Sequence, residues 1–130
     1  RQAHWDEMRS DVENRLPDEA CGLVAGRDRC SILIYPIANS LHSPTRFRLD
    51  PQGQLDAMLS MEEQGLDMMA IYHSHPVGPS YPSLTDIKEA AYPDTLHLIW
   101  HPHQSDWYCR GYLIHSGVYE EVKLKILGDE

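Results

Sequence analysis

The apolar residues at the start of the chain lie three and four positions apart, a helical spacing, at Trp5, Met8, Val12 and Leu16. The three predicted helices are 4–16, Asp50 to Gly65, and about Leu84 to Ala91. Pro17 and Pro93 end the first and third helices, because proline cannot continue one. In the second helix, Asp50 is placed to cap the first turn, and Gly65 follows the last.

Runs of β-branched and aromatic residues between these helices predict strands. The predicted strands are 20–26, 30–39, 46–49, 67–75, 95–101, 107–115 and 118–127. Pro36 indicates that the second strand lies at a sheet edge or contains a bulge. In the last strand apolar and charged residues alternate, so one face is expected to contact water. The order of elements predicts one α/β (α+β) domain over residues 1–130, with a mixed β-sheet flanked by helices.

Composition narrows the possible partners and the compartment. The chain carries 20 acidic and 11 basic residues and a net charge of −9, so a nucleic-acid partner is not expected. No apolar run reaches the roughly 18 residues that cross a bilayer, and no signal peptide opens the sequence, which begins at Arg1. Its three cysteines, Cys21, Cys30 and Cys109, share no short spacing. They favour the reducing cytoplasm over a disulfide framework.

The segment YHSHPVGPSYPSLTD, residues 72–86, contains the candidate metal ligands. His73 and His75 lie two apart at a strand end, so both side chains leave the same face of the sheet. Asp86 follows in the first turn of a helix, where the spacing from Ser83 fits a capping box. Two imidazoles and one carboxylate leave a tetrahedral position open, which is typical of catalytic zinc.

Two weaker interpretations of histidine-rich segments remain open at this point. Ser83 and Asp86 could form only a capping box, since that pattern is frequent. The segment WHPHQSDW (100–107) holds a second H-x-H, but Pro102 and the lack of a following helical ligand predict a surface loop. The isolated histidines are expected to be hydrogen-bonded or exposed rather than ligating: His4, His42, His97 and His115.

HSHP followed by SLTD resembles the H-x-H-P-x(6)-S-x-x-D signature of the JAMM (MPN+) zinc metalloprotease family. PDEACGLVAG (17–26) is similar to the family's segment with the catalytic glutamate. The resemblance covers nearly the whole chain and implies a minimal, prokaryotic-type member with the JAMM/MPN (cytidine-deaminase-like) fold. It implies that His73, His75 and Asp86 hold Zn²⁺.

The resemblance also implies catalytic roles for two further residues. Glu19 becomes the general base, which takes a proton from the attacking water and delivers it to the leaving amine. Ser83 becomes a hydrogen-bond donor to the oxyanion. Asp18 is the rival of Glu19, but it is one methylene shorter and does not match the family position. Ser74 is expected to point away from the ligands and to be structural.

The resemblance implies a zinc-dependent peptidase or isopeptidase that cleaves at the C-terminus of ubiquitin-like or sulfur-carrier proteins. An extended tail of such a partner could bind by adding to a sheet as a strand. The alternative is a non-catalytic MPN scaffold, although such relatives typically lack a ligand. A zinc deaminase is disfavoured because the H-x-E and P-C-x-x-C motifs are absent. The sheet edges and the N-terminal helix could support a homodimer.

Overall fold

A computed structural model describes residues 1–90 and 94–128. The helices in these ranges are α1 (Gln2–Asn14), α2 (Pro51–Glu63) and α3 (Leu84–Glu89). The strands are β1 (Cys21–Arg27), β2 (Cys30–Ile37), β3 (Asp67–Ser74), β4 (Leu96–His103), β5 (Asp106–His115) and β6 (Val118–Val122). None of the described helices is long and apolar enough to cross a bilayer. The predicted end of the third helix at Ala91 and its stop at Pro93 lie outside the described residues.

The six strands form one mixed sheet in the order β2-β1-β3-β4-β5-β6. Only β3 and β4 pair in parallel, and the other pairs are antiparallel. The prediction of a mixed sheet with flanking helices is confirmed. Pro36 lies in β2, an edge strand of this sheet, where its missing N–H costs no ladder hydrogen bond.

The two faces of the sheet are covered by different helices. On one face, α1 buries Met8 and Val12 against Tyr72 and Trp100. On the other face, α2 buries apolar side chains from three strands, and this cluster contains Leu23, Ile37, Ala57, Met61, Leu66 and Ile71. Because residues along β3 alternate between faces, Ile71 and His73 lie on the α2 side. The candidate metal ligands therefore lie on the α2 face.

Sequence capping signals are confirmed at α2 and α3. The Gly53 N–H donates to Asp50 Oδ2 at 2.9 Å, and Pro51 occupies the first turn. Gly65 follows α2 with a φ of +66°, which glycine adopts without a steric penalty. Ser83 and Asp86 form both hydrogen bonds of a capping box.

Three strand predictions need correction. The segment 46–49 makes only an isolated bridge, Asn39 to Leu49, because side-chain hydrogen bonds replace much of a ladder there. The last strand ends at Val122 rather than at 127. The segment 100–107 is a β-hairpin and not a surface loop, since β4 runs through Pro102 and pairs with β5. Gln104, with a φ of +58°, lies in its tight turn.

The buried Asn39 fixes the loop that follows β2. Its Nδ2 donates to the carbonyls of Glu19 and Arg46 at 3.1 and 3.0 Å. Its Oδ1 accepts from the N–H groups of Leu41 and Arg48, both at 3.1 Å. A single side chain therefore holds the residue before β1 and the segment 46–48 in fixed positions.

We expect Asn39→Ala to lower the free energy of unfolding by about 2–4 kcal/mol, because four hydrogen bonds are lost and part of the backbone stays buried. Urea denaturation at neutral pH measures the change. The matched control is Ser40→Ala, which removes one exposed hydrogen bond to Arg48 and should cost under about 1 kcal/mol. Equal losses in the two variants would contradict this role for Asn39.

Candidate metal centre

Two histidines at the end of β3 form the base of the site. His73 is in β3, and His75 is the first residue after this strand. The His75 N–H donates to the Trp100 carbonyl at 2.8 Å. Ser74, between them, is fully buried, and its Oγ accepts from the Ala20 N–H at 2.8 Å. This hydrogen bond is consistent with the structural role expected of Ser74, because it holds the backbone next to Glu19. The Nε2 atoms of His73 and His75 lie 3.1 Å apart.

Asp86 brings the third ligand atom from the first turn of α3. Its Oδ2 lies 3.1 Å from Nε2 of His73 and 3.0 Å from Nε2 of His75. The same oxygen accepts from the Ser83 N–H at 2.9 Å, and Ser83 Oγ accepts from the Asp86 N–H at 3.0 Å. The capping box and the cluster therefore coexist, and the cap orients the carboxylate toward the histidines.

The spacing of these three atoms fits one small metal ion. Ligand atoms about 2 Å from a tetrahedral ion lie roughly 3.3 Å from one another, close to the observed 3.0–3.1 Å. Two imidazoles and one carboxylate also form a donor set that suits zinc. His73, His75 and Asp86 could therefore hold a metal ion without large movements.

Neighbouring groups hold both imidazole rings. His75 Nδ1 lies 2.7 Å from the Pro79 carbonyl, so it carries the proton and Nε2 is left as the ligand. The ring of His73 is held by stacking on Phe47, with ring centroids 4.3 Å apart. No described residue forms a hydrogen bond with its Nδ1. Tyr112 supports the covering loop by donating to the Ser80 carbonyl at 2.6 Å. The loop thus orients His75, and Phe47 orients His73.

Glu19 lies beside this cluster. It is 2% exposed, and ligand atoms of Glu19, His73 and His75 lie within 4.8 Å of one another. Its Oε1 is buried, and no described residue forms a hydrogen bond with it. The Glu19 N–H donates to the Ser43 carbonyl at 2.8 Å, which holds its backbone. Of the two acidic candidates before β1, Glu19 and not Asp18 approaches the histidines.

Burial and charge change the acidities of the cluster in opposite directions. Burial raises the pKa of Glu19 to about 8, although the nearby His75 acts against this. Burial also acts to raise the pKa of Asp86, but the charge of His73 and hydrogen bonds from both histidines and Ser83 hold it well below its usual value. Burial lowers the pKa of His73. Asp86 is therefore a carboxylate, while Glu19 can hold a proton near neutral pH.

Residues of this cluster line two clefts, one containing His73 and Asp86 and the other containing Glu19. One, of about 380 Å³, has Ile71, His73 and His97 in its floor. Its walls come from the segment 47–51 with Gln54, and from α3 with Asp86, Glu89 and Ala90. The other cleft, of about 390 Å³, is lined by Arg15, Asp18, Glu19, Ala38, Asn39 and His42.

Some residues of the site had weak sequence signals or none. Phe47 is the only phenylalanine of the chain and lies within the predicted strand 46–49, but nothing in the pattern linked it to His73. His97 was expected to be hydrogen-bonded or exposed, and that prediction is wrong. The side chain is 5% exposed, and its Nε2 has no hydrogen-bond partner in the ranges 1–90 and 94–128. A single histidine in an apolar strand gives no sign of this placement.

The other histidines form no second metal cluster in the part of the chain that the structure describes. His4 is hydrogen-bonded to Ser31 Oγ at 2.6 Å, and His42 and His115 are exposed, as expected. His101 and His103 both flank the ring of Tyr108 instead of meeting at one point.

Comparison with known proteins identifies relatives of this chain. The model of the family "Prokaryotic homologs of the JAB domain" matches residues 1–110. A probable TtuB-protein conjugate cleaving protease of Thermus thermophilus is 44% identical over 86 residues, which are 65% of this chain and 57% of that protein. A CysO-cysteine peptidase of Mycobacterium tuberculosis is 38% identical over 134 residues, which are 92% of this chain and 90% of that protein.

Solved structures show the same architecture. The solution structure of DSY2949 from Desulfitobacterium hafniense has a TM-score of 0.85 at 34% identity, covering 97% of this chain and 89% of that one. AF2198, a JAB1/MPN domain protein from Archaeoglobus fulgidus, has a TM-score of 0.58 at 18% identity, covering 95% and 93%. At that identity the second match bears on the fold alone. The predicted family, fold and hydrolytic class of enzyme are confirmed, and the chain belongs to the prokaryotic JAB-domain family.

Proposed function

We propose that the protein is a zinc-dependent peptidase or isopeptidase that cleaves the bond at the C-terminus of a ubiquitin-like or sulfur-carrier protein. The observation that carries this proposal is the triangle of His73, His75 and Asp86 with sides of 3.0–3.1 Å, with the buried Glu19 beside it. The relatives named above cleave a protein conjugate and a cysteine adduct of such carriers. Either type of leaving group is compatible with the site.

Glu19 moves the proton in this proposal. A bound zinc ion would supply Lewis acidity and lower the pKa of water to about 7. Glu19 Oε1, which has no hydrogen-bond partner, accepts a proton from the attacking water and then passes it to the leaving nitrogen. In the metal-free protein burial raises the pKa of Glu19 to about 8, and the positive charge of a bound zinc ion would favour the carboxylate that accepts this proton. Once protonated, the buried acid can release the proton to the leaving nitrogen.

Ser83 stabilises the developing negative charge on the substrate carbonyl in this proposal. Its Oγ accepts from the Asp86 N–H, so its own hydrogen is available to donate. The Ser83 N–H is bound to Asp86 Oδ2, which keeps the hydroxyl close to the ligand set. One hydroxyl aimed at an oxyanion contributes to rate without forming a covalent bond.

The cleft beside His73 supports binding of an extended tail. In the segment 46–50, the main-chain groups of Arg48 and the Asp50 N–H face the chain that follows β2. By strand alternation, those of Phe47 and Leu49 face the cleft, and no described residue hydrogen-bonds to them. This free edge could accept a peptide as an added strand.

The second cleft could bind the leaving group. Glu19 lines it, so a bond held between the two clefts lies within reach of the residue that moves the proton. It is lined by charged and polar side chains from Arg15, Asp18, Asn39 and His42. A polar cleft suits a released amine better than an apolar one does.

Three further expectations belong to this proposal. Residues 1–130 act as one catalytic domain. A cytoplasmic location is favoured by the three free cysteines. A homodimer stays a prediction.

We expect the zinc-loaded protein to cleave carrier-protein fusions at the carrier's C-terminus, and a chelator to abolish cleavage, as read by mass spectrometry. Asp86→Asn should weaken zinc binding at least about tenfold, because a ligand charge and orientation are lost. The matched control is Glu89→Gln, at the exposed end of the same helix, which should bind zinc normally. Chelator-resistant cleavage, or no cleavage of any isopeptide or cysteine adduct, would contradict the proposal.

Glu19→Gln should lower kcat by at least about 100-fold, because the amide cannot accept the proton. Zinc content and fold should stay unchanged, which atomic absorption and circular dichroism measure. Asp18→Asn is the control for the neighbouring acid and should keep kcat within about threefold. If Asp18→Asn is the more damaging change, the general base has been assigned to the wrong residue. If neither change affects turnover, a residue other than Glu19 or Asp18 moves the proton. A scaffold would show no turnover in the wild type either.

The raised pKa of Glu19 also predicts how stability changes with pH in chelator-treated protein. Between the ordinary value of 4.5 and about 8, the folded state holds a proton that the unfolded state has lost. The contribution of Glu19 to the free energy of unfolding therefore falls as pH rises through this window. Glu19→Gln removes this fall, so the variant should be more stable than the wild type by a few kcal/mol at pH 8 and similar to it at pH 4.5. Parallel urea-denaturation curves across this range would refute the assignment.

A further inference from the structure

His97 is a buried polar residue that the proposed reaction does not use. It lies in β4, pairs in parallel register with Ile71 of β3, and lines the cleft beside His73. Its side chain is 5% exposed, and no described residue hydrogen-bonds to its Nε2. A buried, unpaired polar atom is rare and destabilises the fold, so it calls for an explanation.

The ring of His97 is uncharged at neutral pH. Burial, together with the charge of His73, lowers its pKa to about 4. A neutral imidazole has one nitrogen that donates and one that accepts. A partner that both donates and accepts, such as a hydroxyl or a carboxamide, therefore matches either tautomer of His97.

The residues that line the cleft with His97 indicate which kind of substrate side chain could bind there. The cleft that His97 lines also contains Phe47, Leu49 and Ile71, whose side chains offer no hydrogen bonds. Its polar lining residues besides the two histidines are Arg48, Gln54, Asp86 and Glu89. A strand added to the free edge at Phe47 and Leu49 would point alternate side chains down toward this floor. The ring can turn about its Cβ–Cγ bond to meet such a side chain, because that torsion of histidine is broad.

We propose that His97 forms a specificity subsite for a neutral hydrogen-bonding side chain, threonine or asparagine in class, in the tail of the substrate. The subsite rests on the proposed function, since it needs an extended tail in this cleft. It discriminates against an aliphatic side chain of the same shape, which leaves the imidazole unpaired in the complex. Threonine against valine, and asparagine against leucine, are the matched pairs.

The test measures binding, so that it does not depend on cleavage. Fluorescein-labelled peptides ending in Gly-Gly are titrated with the zinc-loaded Glu19→Gln protein, and Kd is read by anisotropy. Each of the four positions before Gly-Gly carries valine or threonine, or leucine or asparagine, in turn. We expect one position at which the hydrogen-bonding residue binds at least about tenfold more tightly than its aliphatic counterpart.

Variants at two histidines, made in the same Glu19→Gln background, identify the residue responsible. His97→Leu should abolish or reverse the preference. His97→Asn is the second variant, which keeps a hydrogen-bonding group and should keep part of the preference. His115→Leu is the matched control, an exposed histidine at the end of β5, and should keep all of it.

The outcomes separate this inference from the proposed function. A preference that survives in His97→Leu, or that no peptide position shows, would overturn the subsite. Cleavage by the wild type without any such preference overturns the subsite and leaves the peptidase proposal standing. A His97-dependent preference in a protein that cleaves no carrier fusion supports the subsite and refutes the peptidase proposal.

Discussion

The site depends on one geometric constraint, which is that three ligand atoms from two elements must lie about 3 Å apart. A strand end supplies two of them at once, because residues two apart share a face. The third comes from a helix whose first turn has to be capped in any case. Asp86 Oδ2 does both tasks, since it accepts the Ser83 N–H and faces His73 and His75. Unwinding the first turn of α3 would therefore break the cap and move the carboxylate away from both histidines.

The rest of the fold keeps these two elements in register with Glu19. Ser74 lies between the histidines but on the opposite face, and it binds the N–H of Ala20. This hydrogen bond fixes the backbone beside Glu19 relative to β3, so Glu19 and the two histidines keep their relative positions. Asn39 donates hydrogen bonds to the carbonyls of Glu19 and Arg46, and so links the residue before β1 to the segment that carries Phe47. Two buried polar side chains thus set the distances on which proton transfer would depend.

Local signals predicted the parts of the structure that local chemistry determines. The caps at Asp50 and Ser83 and the ligand motif were visible because each is a fixed spacing of particular residue types. The failures involve residues whose environment comes from distant chain. Pro102 remains inside β4 because β5 returns to pair with it. His97 is buried in a cleft whose other residues come from the segment 47–54, from β3 and from α3. Periodicity does not encode such contacts.

The buried unpaired polar atoms lie mostly on the side of the sheet where chemistry is proposed. Five such side-chain atoms occur among the described residues, at Glu19, His73, His97, Trp100 and His101. Trp100 belongs to the apolar core under α1, whereas Glu19, His73 and His97 line the two clefts. Each unpaired atom lowers the stability of the folded, ligand-free protein by roughly 1–3 kcal/mol. Three of these atoms line the two clefts, where a bound group could form the missing hydrogen bonds. The fold is therefore less stable without a ligand, and the polar atoms are already in position to bind one.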